Sequence, residues 1–297
     1  MFKGSITALI TPLKNGKVDE KAFQDLIEWQ IKQGSHGFVP CGTTGESPTL
    51  THEEHERVID LCIEAANGKV PVIAGTGSNS TDEAISLTKF SKGAGADAAL
   101  VVTPYYNKPT QEGLYHHFKA INDSCDLPII IYNIPGRSVV DINIETMKKL
   151  AKLKNIIGVK DSSNDLARPL LTTKSIGKNF CQISGEDATV VPFLSQGGHG
   201  CISVTANIVP RMCSDLHNAW QKGNFKKVQS LNSFLFPLHN VLFLETSPGP
   251  VKYAASLLKI CSEELRLPLV KVAPNIKKEI KSILTKLKIK PIKKNKC

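Results

Sequence analysis

The run Ile156-Ile-Gly-Val-Lys160, followed at once by Asp161-Ser-Ser-Asn164, decides the fold and locates the chemistry. A short apolar run closed by polar turn residues is typical of a buried strand in a parallel sheet. Lys160 ends this strand, and ligands of parallel α/β proteins bind at the carboxyl ends of strands. The neutral form of a desolvated lysine amine is a nucleophile for ketones. A lysine that only reaches out to water is the ordinary alternative.

The same unit, a short apolar strand followed by a polar turn and an amphipathic helix, recurs along the first two hundred residues. Eight strands are predicted, at Ser5–Ile10, Gly37–Cys41, Val70–Gly75, Ala98–Thr103, Pro128–Tyr132, Ile156–Lys160, Cys181–Ser184 and Gly200–Val204. Helices are predicted between them, at Glu20–Gln33, Thr51–Ala66, Thr81–Gly93, Gln111–Ser124, Ile144–Leu153, Leu166–Ser175 and Ala188–Gln196. Strands that alternate with single helices pair in parallel, and eight such units form a (β/α)8 TIM barrel. An open doubly wound sheet is the alternative, which the absence of a G-x-G-x-x-G or P-loop motif disfavours.

Only helices are predicted after the eighth strand, at Pro210–Lys222, Phe225–Val241, Gly249–Cys261 and Pro274–Leu287. The first can serve as the eighth barrel helix, and the others form a C-terminal helical appendix on the barrel wall. The expected organisation is a catalytic barrel over 1–223, a helical region over 224–290 and a basic tail over 291–297. Thr51-His-Glu-Glu54 and Ser80-Thr-Asp-Glu83 have capping-box spacing, and Gly34 and Gly93 suit helix ends.

The net charge of +10 is concentrated near the end of the chain. From Lys277 to Cys297 there are nine lysines and one glutamate, a local charge of +8 that leaves only +2 for the rest. Basic runs without interleaved aromatic residues are usually solvated, so neither nucleic-acid nor membrane binding is expected. No stretch approaches the roughly 18 apolar residues of a membrane span, and the first residues do not form a signal peptide, so a cytoplasmic protein is expected. The eight cysteines are scattered, and no metal site or disulfide framework is expected.

Chemically useful residues follow several of the predicted strands. Strand two ends in Gly42-Thr-Thr-Gly-Glu-Ser47, whose amides and threonine hydroxyls can hold a small carboxylate. Strands four, five and seven end in Thr103-Pro-Tyr-Tyr106, Tyr132-Asn-Ile-Pro-Gly-Arg137 and Ser184-Gly-Glu-Asp187. Loops after the strands of a barrel face one opening. A carboxylate nest, a lysine nucleophile, phenols for proton relay and an arginine for a second carboxylate together indicate Schiff-base chemistry on a 2-oxo acid.

Each of these residues has a structural alternative when it is taken singly. The glycine-rich turn can be purely structural, Tyr106 and Tyr132 can be interface or core aromatics, and Arg137 can form a surface pair. Asp161 and Asp187 are most simply turn and N-cap residues. Their joint occurrence at successive strand ends favours a catalytic site.

Two motifs resemble those of a known family. They are Gly42-Thr-Thr-Gly-Glu46, and Tyr132-Asn-Ile-Pro-Gly-Arg137 followed by Gly158-Val-Lys160. The chain resembles, from Phe2 to about Pro268, the dihydrodipicolinate synthases in the N-acetylneuraminate lyase family of class I pyruvate aldolases. The resemblance implies a TIM barrel that needs no cofactor and assembles as a homotetramer, a dimer of tight dimers.

The resemblance also implies roles for individual residues. Lys160 would form an imine with pyruvate, and the pyruvate carboxylate would rest on Thr43 and Thr44. A proton relay would consist of Tyr132, Thr44 and Tyr106, with Tyr106 reaching across from a neighbouring subunit. Two further positions, Gly185 and Ile202, match those whose backbone lines the site.

Arg137 distinguishes the members of the family. In the synthases an arginine at this position receives the carboxylate of L-aspartate semialdehyde, whereas the sugar-acid lyases usually lack it. The resemblance therefore favours condensation of pyruvate with L-aspartate semialdehyde in lysine biosynthesis. A lyase that acts on a sugar acid is the alternative, and a catalytically silent barrel that senses a metabolite is a third.

A second group of residues matches the positions at which relatives bind lysine, the end product of the pathway. The group consists of Ser47, His52, His55, Asn79, Glu83 and Tyr105. By this resemblance Glu83 meets the ammonium group of L-lysine, which would act as a feedback inhibitor. The alternative is an ordinary polar helix face, because Glu83 occupies a capping-box position. Pro48 also replaces a smaller residue of the family pattern.

Overall fold

Eight parallel strands form the centre of the molecule, whose computed structural model describes residues 1–292. The strands are β1 (Gly4–Ala8), β2 (Gly37–Val39), β3 (Ile73–Gly75), β4 (Ala98–Val102), β5 (Ile129–Asn133), β6 (Ile156–Asp161), β7 (Cys181–Ser184) and β8 (Gly200–Ser203). Their order is β2-β1-β8-β7-β6-β5-β4-β3, and a parallel bridge between Phe38 and Val72 joins the first and last members. The predicted TIM barrel is confirmed, with every predicted strand within three residues of its observed bounds.

Twelve α-helices lie in the described part of the chain. They are α1 (Glu20–Lys32), α2 (His52–Ala66), α3 (Thr81–Ala94), α4 (Gln111–Ser124), α5 (Pro135–Ser138), α6 (Ile144–Leu150), α7 (Arg168–Ile176), α8 (Val190–Ser195), α9 (Pro210–Gln221), α10 (Phe225–Val241), α11 (Gly249–Leu257) and α12 (Pro274–Lys286). All predicted helices are present, and α5 was not predicted. The prediction also missed a hairpin of Leu13–Lys14 with Lys17–Val18, although its Asn15-Gly16 turn, with both φ angles positive, is a hairpin signal.

One of the predicted helix-end signals is wrong, and one capping box is only half formed. The capping box of α2 is present, since Thr51 and Glu54 exchange hydrogen bonds of 3.0 and 3.2 Å. At the start of α3, Ser80 is the N-cap and its hydroxyl accepts from the amide of Glu83 at 3.5 Å, but the Glu83 carboxylate contacts Ser78 and His52 and not the amide of Ser80. Gly93 lies within α3, and Gly95, with a φ of +96°, ends the helix instead. Gly34, with a φ of +86°, follows α1 as expected.

The core has an inner and an outer part. The barrel interior is filled by apolar side chains from alternate strand positions, such as Ile6, Ile130 and Ile183. Outside the strands, the helices of the barrel and those of the appendix share one apolar cluster. In this cluster Leu238 of α10 and Ile280 of α12 are fully buried together with barrel-helix residues. The appendix therefore packs on the barrel wall.

The lysine-rich end of the chain is partly integrated into this core. Helix α12 buries Ile280 and Leu284, while Lys277 pairs with Glu263 at 2.6 Å. The amide of Ile292 donates to the carbonyl of Leu258. Residues 293–297, most of the predicted basic tail, lie outside the described residues. Within 1–292, no helix is both long and apolar enough to cross a membrane.

A buried histidine predicts acid sensitivity of the fold. Burial lowers the pKa of His117, on α4, from 6.5 to about 4, so between these values the unfolded chain binds the proton and the folded chain does not. The contribution of this residue to the free energy of unfolding is therefore complete above pH 6.5 and decreases as the pH falls towards 4. When the pH is lowered from 7 to 5, the free energy of unfolding is expected to fall by about 1–2 kcal/mol less in the His117→Gln variant than in the parent. Urea denaturation at the two pH values measures this difference, and equal losses would contradict it.

Candidate active site

Lys160 lies inside the mouth of the barrel, at the carboxyl end of β6. In the sheet register it is paired with Tyr132 of β5 and with Ile183 of β7, and its side chain is buried. Its Nζ lies 3.9 Å from the centroid of the Tyr132 ring. The two residues that the sequence predicted as nucleophile and proton relay are thus in contact in one protomer.

Gly185 lies directly against the lysine, just after β7. A Cβ added at this position would meet Ser162 Oγ at 1.8 Å and Lys160 Cε at 3.0 Å. Any side chain here would therefore displace the amine or the β6 loop. Ile202 is buried in the barrel interior on β8. Both residues that were expected to line the site lie at the same end of the barrel as Lys160.

The Thr43–Gly45 segment forms a single 3-10 turn after β2. The amides of Gly45 and Glu46 donate within this turn, to the carbonyls of Gly42 and Thr43. The first amides of a helical turn have no partner inside it, so those of Thr43 and Thr44 are the ones available to an anion. Thr44 is buried and Thr43 is half-buried. This geometry suits a small carboxylate.

Arg137 lies on the short helix α5 beyond the end of β5. Its guanidinium is exposed, and Nη2 donates to the carbonyl of Ser247 at 3.4 Å. A carboxylate that the sequence analysis had not singled out, Glu186, is near enough to Lys160 and Arg137 to interact with both charges. Burial raises the pKa of Glu186, while the charges of Lys160 and Arg137 act in the opposite direction. The mouth of the barrel is therefore lined by two cations and one half-buried carboxylate.

The two aspartates at the strand ends differ from each other. Asp161 accepts from the amide of Ser163, as expected for a turn residue, and also pairs with Arg168 at 3.3 Å. Asp187 is not the N-cap of α8. Its buried carboxylate accepts from the amides of Val204 and Thr205, at 2.9 and 3.1 Å. It therefore ties the loop after β7 to the end of β8.

Tyr106 lies apart from the other predicted site residues. Its side chain is 91% exposed and its φ is +72°, in the left-handed region that non-glycine residues seldom adopt. The structure thus brings Lys160, Tyr132 and Thr44 to one end of the barrel but leaves Tyr106 projecting from a loop.

The predicted lysine-binding residues gather around a separate cavity of about 220 Å³. Five of the six line it: Ser47, His52, His55, Glu83 and Tyr105. The sixth, Asn79, donates to the carbonyl of Tyr105 at 3.2 Å. Within the cavity the Glu83 carboxylate lies 3.0 Å from His52 Nε2. Burial, and next to it the Glu83 charge, raise the pKa of Tyr105.

One buried ion pair near the site was missed by the sequence analysis. Lys252 of α11 contacts the carboxylate of Glu46, which follows the Thr43–Gly45 turn, at 2.6 Å. A signal was available, since Lys252 is the one charged residue in the mainly apolar run Gly249–Leu258. A lysine so placed needs a partner when it is buried.

Comparisons with known proteins identify the family of the chain. The dihydrodipicolinate synthetase family matches residues 1–287 of the chain. The 4-hydroxy-tetrahydrodipicolinate synthase of Rhodospirillum centenum is 64% identical over 286 residues, which cover 96% of this chain and 98% of the relative.

Two solved structures are also similar. Chloride-inhibited dihydrodipicolinate synthase from Acinetobacter baumannii, complexed with pyruvate, has a TM-score of 0.95 and 44% identity, covering 97% of this chain and 100% of that one. The enzyme of Cyanidioschyzon merolae with lysine bound has a TM-score of 0.94 and 36% identity, covering 97% and 99%. The chain therefore belongs to the dihydrodipicolinate synthetase family.

Proposed function

We propose that the chain, a lyase of this family, condenses pyruvate with L-aspartate semialdehyde to give 4-hydroxy-tetrahydrodipicolinate in lysine biosynthesis. The observation that carries the proposal is the buried Lys160 amine, 3.9 Å from the Tyr132 ring at the carboxyl end of β6. The pyruvate complex of the A. baumannii relative supports the first substrate.

The chemistry begins with an imine between Lys160 and the ketone of pyruvate, with loss of water. Loss of a methyl proton converts the imine to an enamine, whose carbon attacks the aldehyde of L-aspartate semialdehyde. The aldehyde oxygen takes up a proton and becomes the hydroxyl of the product. The amine of the second substrate then displaces Lys160 and forms the ring. The protonated imine on Lys160 serves as the electron sink, so each step is accounted for without a cofactor.

The surrounding residues have separate tasks in this scheme. Thr43 and Thr44 hold the pyruvate carboxylate at the turn after β2, and the backbone at Gly185 and Ile202 shapes the floor of the pocket. Tyr132 and Thr44 pass protons to and from the imine nitrogen and the substrate oxygens. Arg137 receives the carboxylate of the semialdehyde, because its guanidinium is exposed at the mouth of the barrel.

The relay is completed by Tyr106 of a second copy of the chain, within a homotetramer built from two tight dimers. This proposal is supported by the 91% exposure of Tyr106, which leaves a large aromatic side chain almost wholly uncovered in the protomer. Analytical ultracentrifugation of the wild type and of Tyr106→Phe measures the assembly, and a turnover assay of the same two proteins measures the relay. The variant is expected to keep the assembly and to lose turnover, and a monomer with full activity would refute the relay.

A lyase for sugar acids remains the second candidate, since it would use the same imine. Arg137 favours the synthase, because a guanidinium suits a carboxylate better than a polyol. In the deciding assay, purified protein is incubated with pyruvate and L-aspartate semialdehyde. Product formation is measured as NADPH oxidation by a downstream reductase. Turnover supports the proposal. A borohydride-trapped pyruvate adduct without turnover would point to the sugar-acid lyase, and no adduct at all to a silent sensor barrel.

The cavity lined by His52, Glu83 and Tyr105 is proposed as a site for L-lysine as feedback inhibitor. The lysine-bound structure of the C. merolae relative supports this assignment. The Glu83 carboxylate, which faces this partly enclosed cavity beside His52 and Ser78, suits the ammonium group of the ligand.

The Glu83→Gln variant is expected to raise the lysine concentration for half inhibition by roughly tenfold or more, because a charge-assisted hydrogen bond contributes about 1.5–3 kcal/mol. Glu112→Gln is a matched control, since Glu112 also pairs with a histidine, His116, at 3.1 Å but lies on α4 outside the cavity. Inhibition curves against L-lysine measure both variants. An equal shift in the two, or none in Glu83→Gln, would refute the assignment.

A further inference from the structure

Both carboxylate oxygens of Glu46 are bonded by residues of the C-terminal part of the chain. Oε1 accepts from Lys252 Nζ at 2.6 Å, and Oε2 accepts from the backbone amide of Arg266 at 3.2 Å. The Lys252 and Glu46 side chains are 0% and 2% exposed, so water screens neither charge. Glu46 is the residue directly after the Thr43–Gly45 turn. Its position is therefore fixed from the appendix, not from the barrel strand that precedes it.

Lys252 holds the same turn by a second route. Its Nζ also donates to the carbonyl of Thr11 at 3.0 Å, and the hydroxyl of Thr11 donates to the carbonyl of Gly45 at 2.7 Å. Two chains of contacts thus run from one ammonium group to the end of the turn, one through Glu46 and one through Thr11. An ammonium group with two such partners has a defined position, which it transmits to the turn.

The backbone at Glu46 needs this support. Its φ is +58°, in the left-handed region, where a residue with a Cβ is disfavoured relative to glycine. The conformation directs the chain from the Thr43–Gly45 turn into the next 3-10 turn, Ser47–Thr49. Without the contacts of its carboxylate, Glu46 would relax towards an ordinary conformation and carry the two threonines with it.

The helix that supplies Lys252 also contacts the other side of the mouth. Ser247, just ahead of α11, accepts from Arg137 Nη2 through its carbonyl. The beginning of α11 is therefore linked to the turn after β2 and to the arginine after β5. Neither Lys252 nor Glu46 is exposed at the mouth, so any effect they have on substrate passes through these neighbours.

We propose that Lys252 and Glu46 are positioning residues for pyruvate, which set the geometry of Thr43 and Thr44 without touching the substrate. The inference rests on the proposed role of these threonines in holding the pyruvate carboxylate. An anion site made of amides and hydroxyls loses affinity when its donors are displaced by a fraction of a bond length. The pair therefore determines the affinity for pyruvate, whereas a purely structural pair would determine only stability.

Three variants separate these two roles. Lys252→Met removes the cation and leaves Glu46 charged and buried, so it is expected to lower the thermal midpoint in addition to any effect on pyruvate binding. Glu46→Gln combined with Lys252→Met leaves no unpaired charge, and is the variant of choice if the single one does not fold. Lys277→Met is the matched control, since Lys277 is another appendix lysine that pairs with a glutamate at 2.6 Å but contacts no residue of the turn.

The readouts are borohydride trapping against pyruvate concentration and the KM for each substrate, both at a temperature where each variant is folded. The thermal midpoint is measured separately. Lys252→Met and the double variant are expected to need roughly tenfold more pyruvate for half-maximal trapping. Their KM for the semialdehyde should change less than about twofold. The double variant should also recover much of the thermal midpoint while it keeps the raised pyruvate requirement, which a role in stability alone does not explain.

Wild-type pyruvate dependence in either folded variant would overturn the inference. The same would follow from an equal rise in the KM of both substrates, or from a similar rise in Lys277→Met. Absence of an adduct in the wild-type protein is a different result, since it would refute the proposed function itself.

Discussion

Replacing Lys160 by arginine is expected to abolish the borohydride-trapped pyruvate adduct and to lower turnover by at least about 10⁴-fold. A guanidinium stays protonated at working pH and has no lone pair with which to form the imine. The substitution keeps a positive charge next to the Tyr132 ring, so binding of the pyruvate carboxylate by Thr43 and Thr44 is retained in part. The loss should therefore be in kcat far more than in KM.

Mass spectrometry of the reduced protein measures the adduct directly, and the thermal midpoint shows whether the variant is folded. Lys154→Arg is the control, because Lys154 precedes the same strand but pairs with Asp126 on the surface at 3.1 Å. Appreciable adduct in folded Lys160→Arg would remove this residue from its role. An adduct that maps to another lysine would relocate the nucleophile.

The second large effect is expected at Arg137. The Arg137→Ala variant should lose roughly 100-fold in kcat/KM for L-aspartate semialdehyde, the value of two charge-assisted hydrogen bonds to a carboxylate. Its half-maximal pyruvate concentration in the trapping experiment should change less than about threefold, because the first substrate binds deeper in the barrel. Its fold should be little affected, since the guanidinium is exposed and makes one long hydrogen bond, to Ser247.

Arg211→Ala is a matched control for this experiment. Arg211 is also exposed and also donates to one backbone carbonyl, that of Lys32, but it lies on α9 away from the mouth. Steady-state kinetics with each substrate varied in turn distinguish the cases. Equal loss for both substrates would show that the second carboxylate binds elsewhere, and retained activity would favour Glu186 or the backbone as its recognition element.

The sequence predicted most of the barrel because its information is local. Each strand carries its own apolar run, and Lys160 is recognisable from the four residues before it and the turn after it. The misses have physical reasons as well. The hairpin around Asn15-Gly16 has strands of two residues, which are too short for a periodic pattern. The Glu83 carboxylate does not complete the capping box of α3, because a histidine and a serine compete for it.

Contacts between residues that are distant in the sequence could not be predicted from local sequence patterns. Nothing near Lys252 in the sequence indicates that its partner is Glu46, and the resemblance to the family did not include this pair. Glu186 was passed over for a related reason, since its environment includes Lys160 of β6 and Arg137 of α5, which lie elsewhere in the sequence. A residue such as Lys160 can be found from the local sequence pattern. Residues such as Lys252 and Glu186, whose partners are distant in the sequence, can be found only from the folded structure.

The contact between Glu46 and Lys252 spans 206 positions of the chain. During synthesis on the ribosome, the turn that receives the first substrate emerges early, whereas the lysine that holds it emerges only after all eight strands. A nascent barrel thus carries the turn, with an unpaired carboxylate beside it, for most of its translation. On the proposed role of this pair, the turn can hold pyruvate only after α11 has been made, and an incomplete chain stalled before α11 would have most of a barrel but no finished pocket.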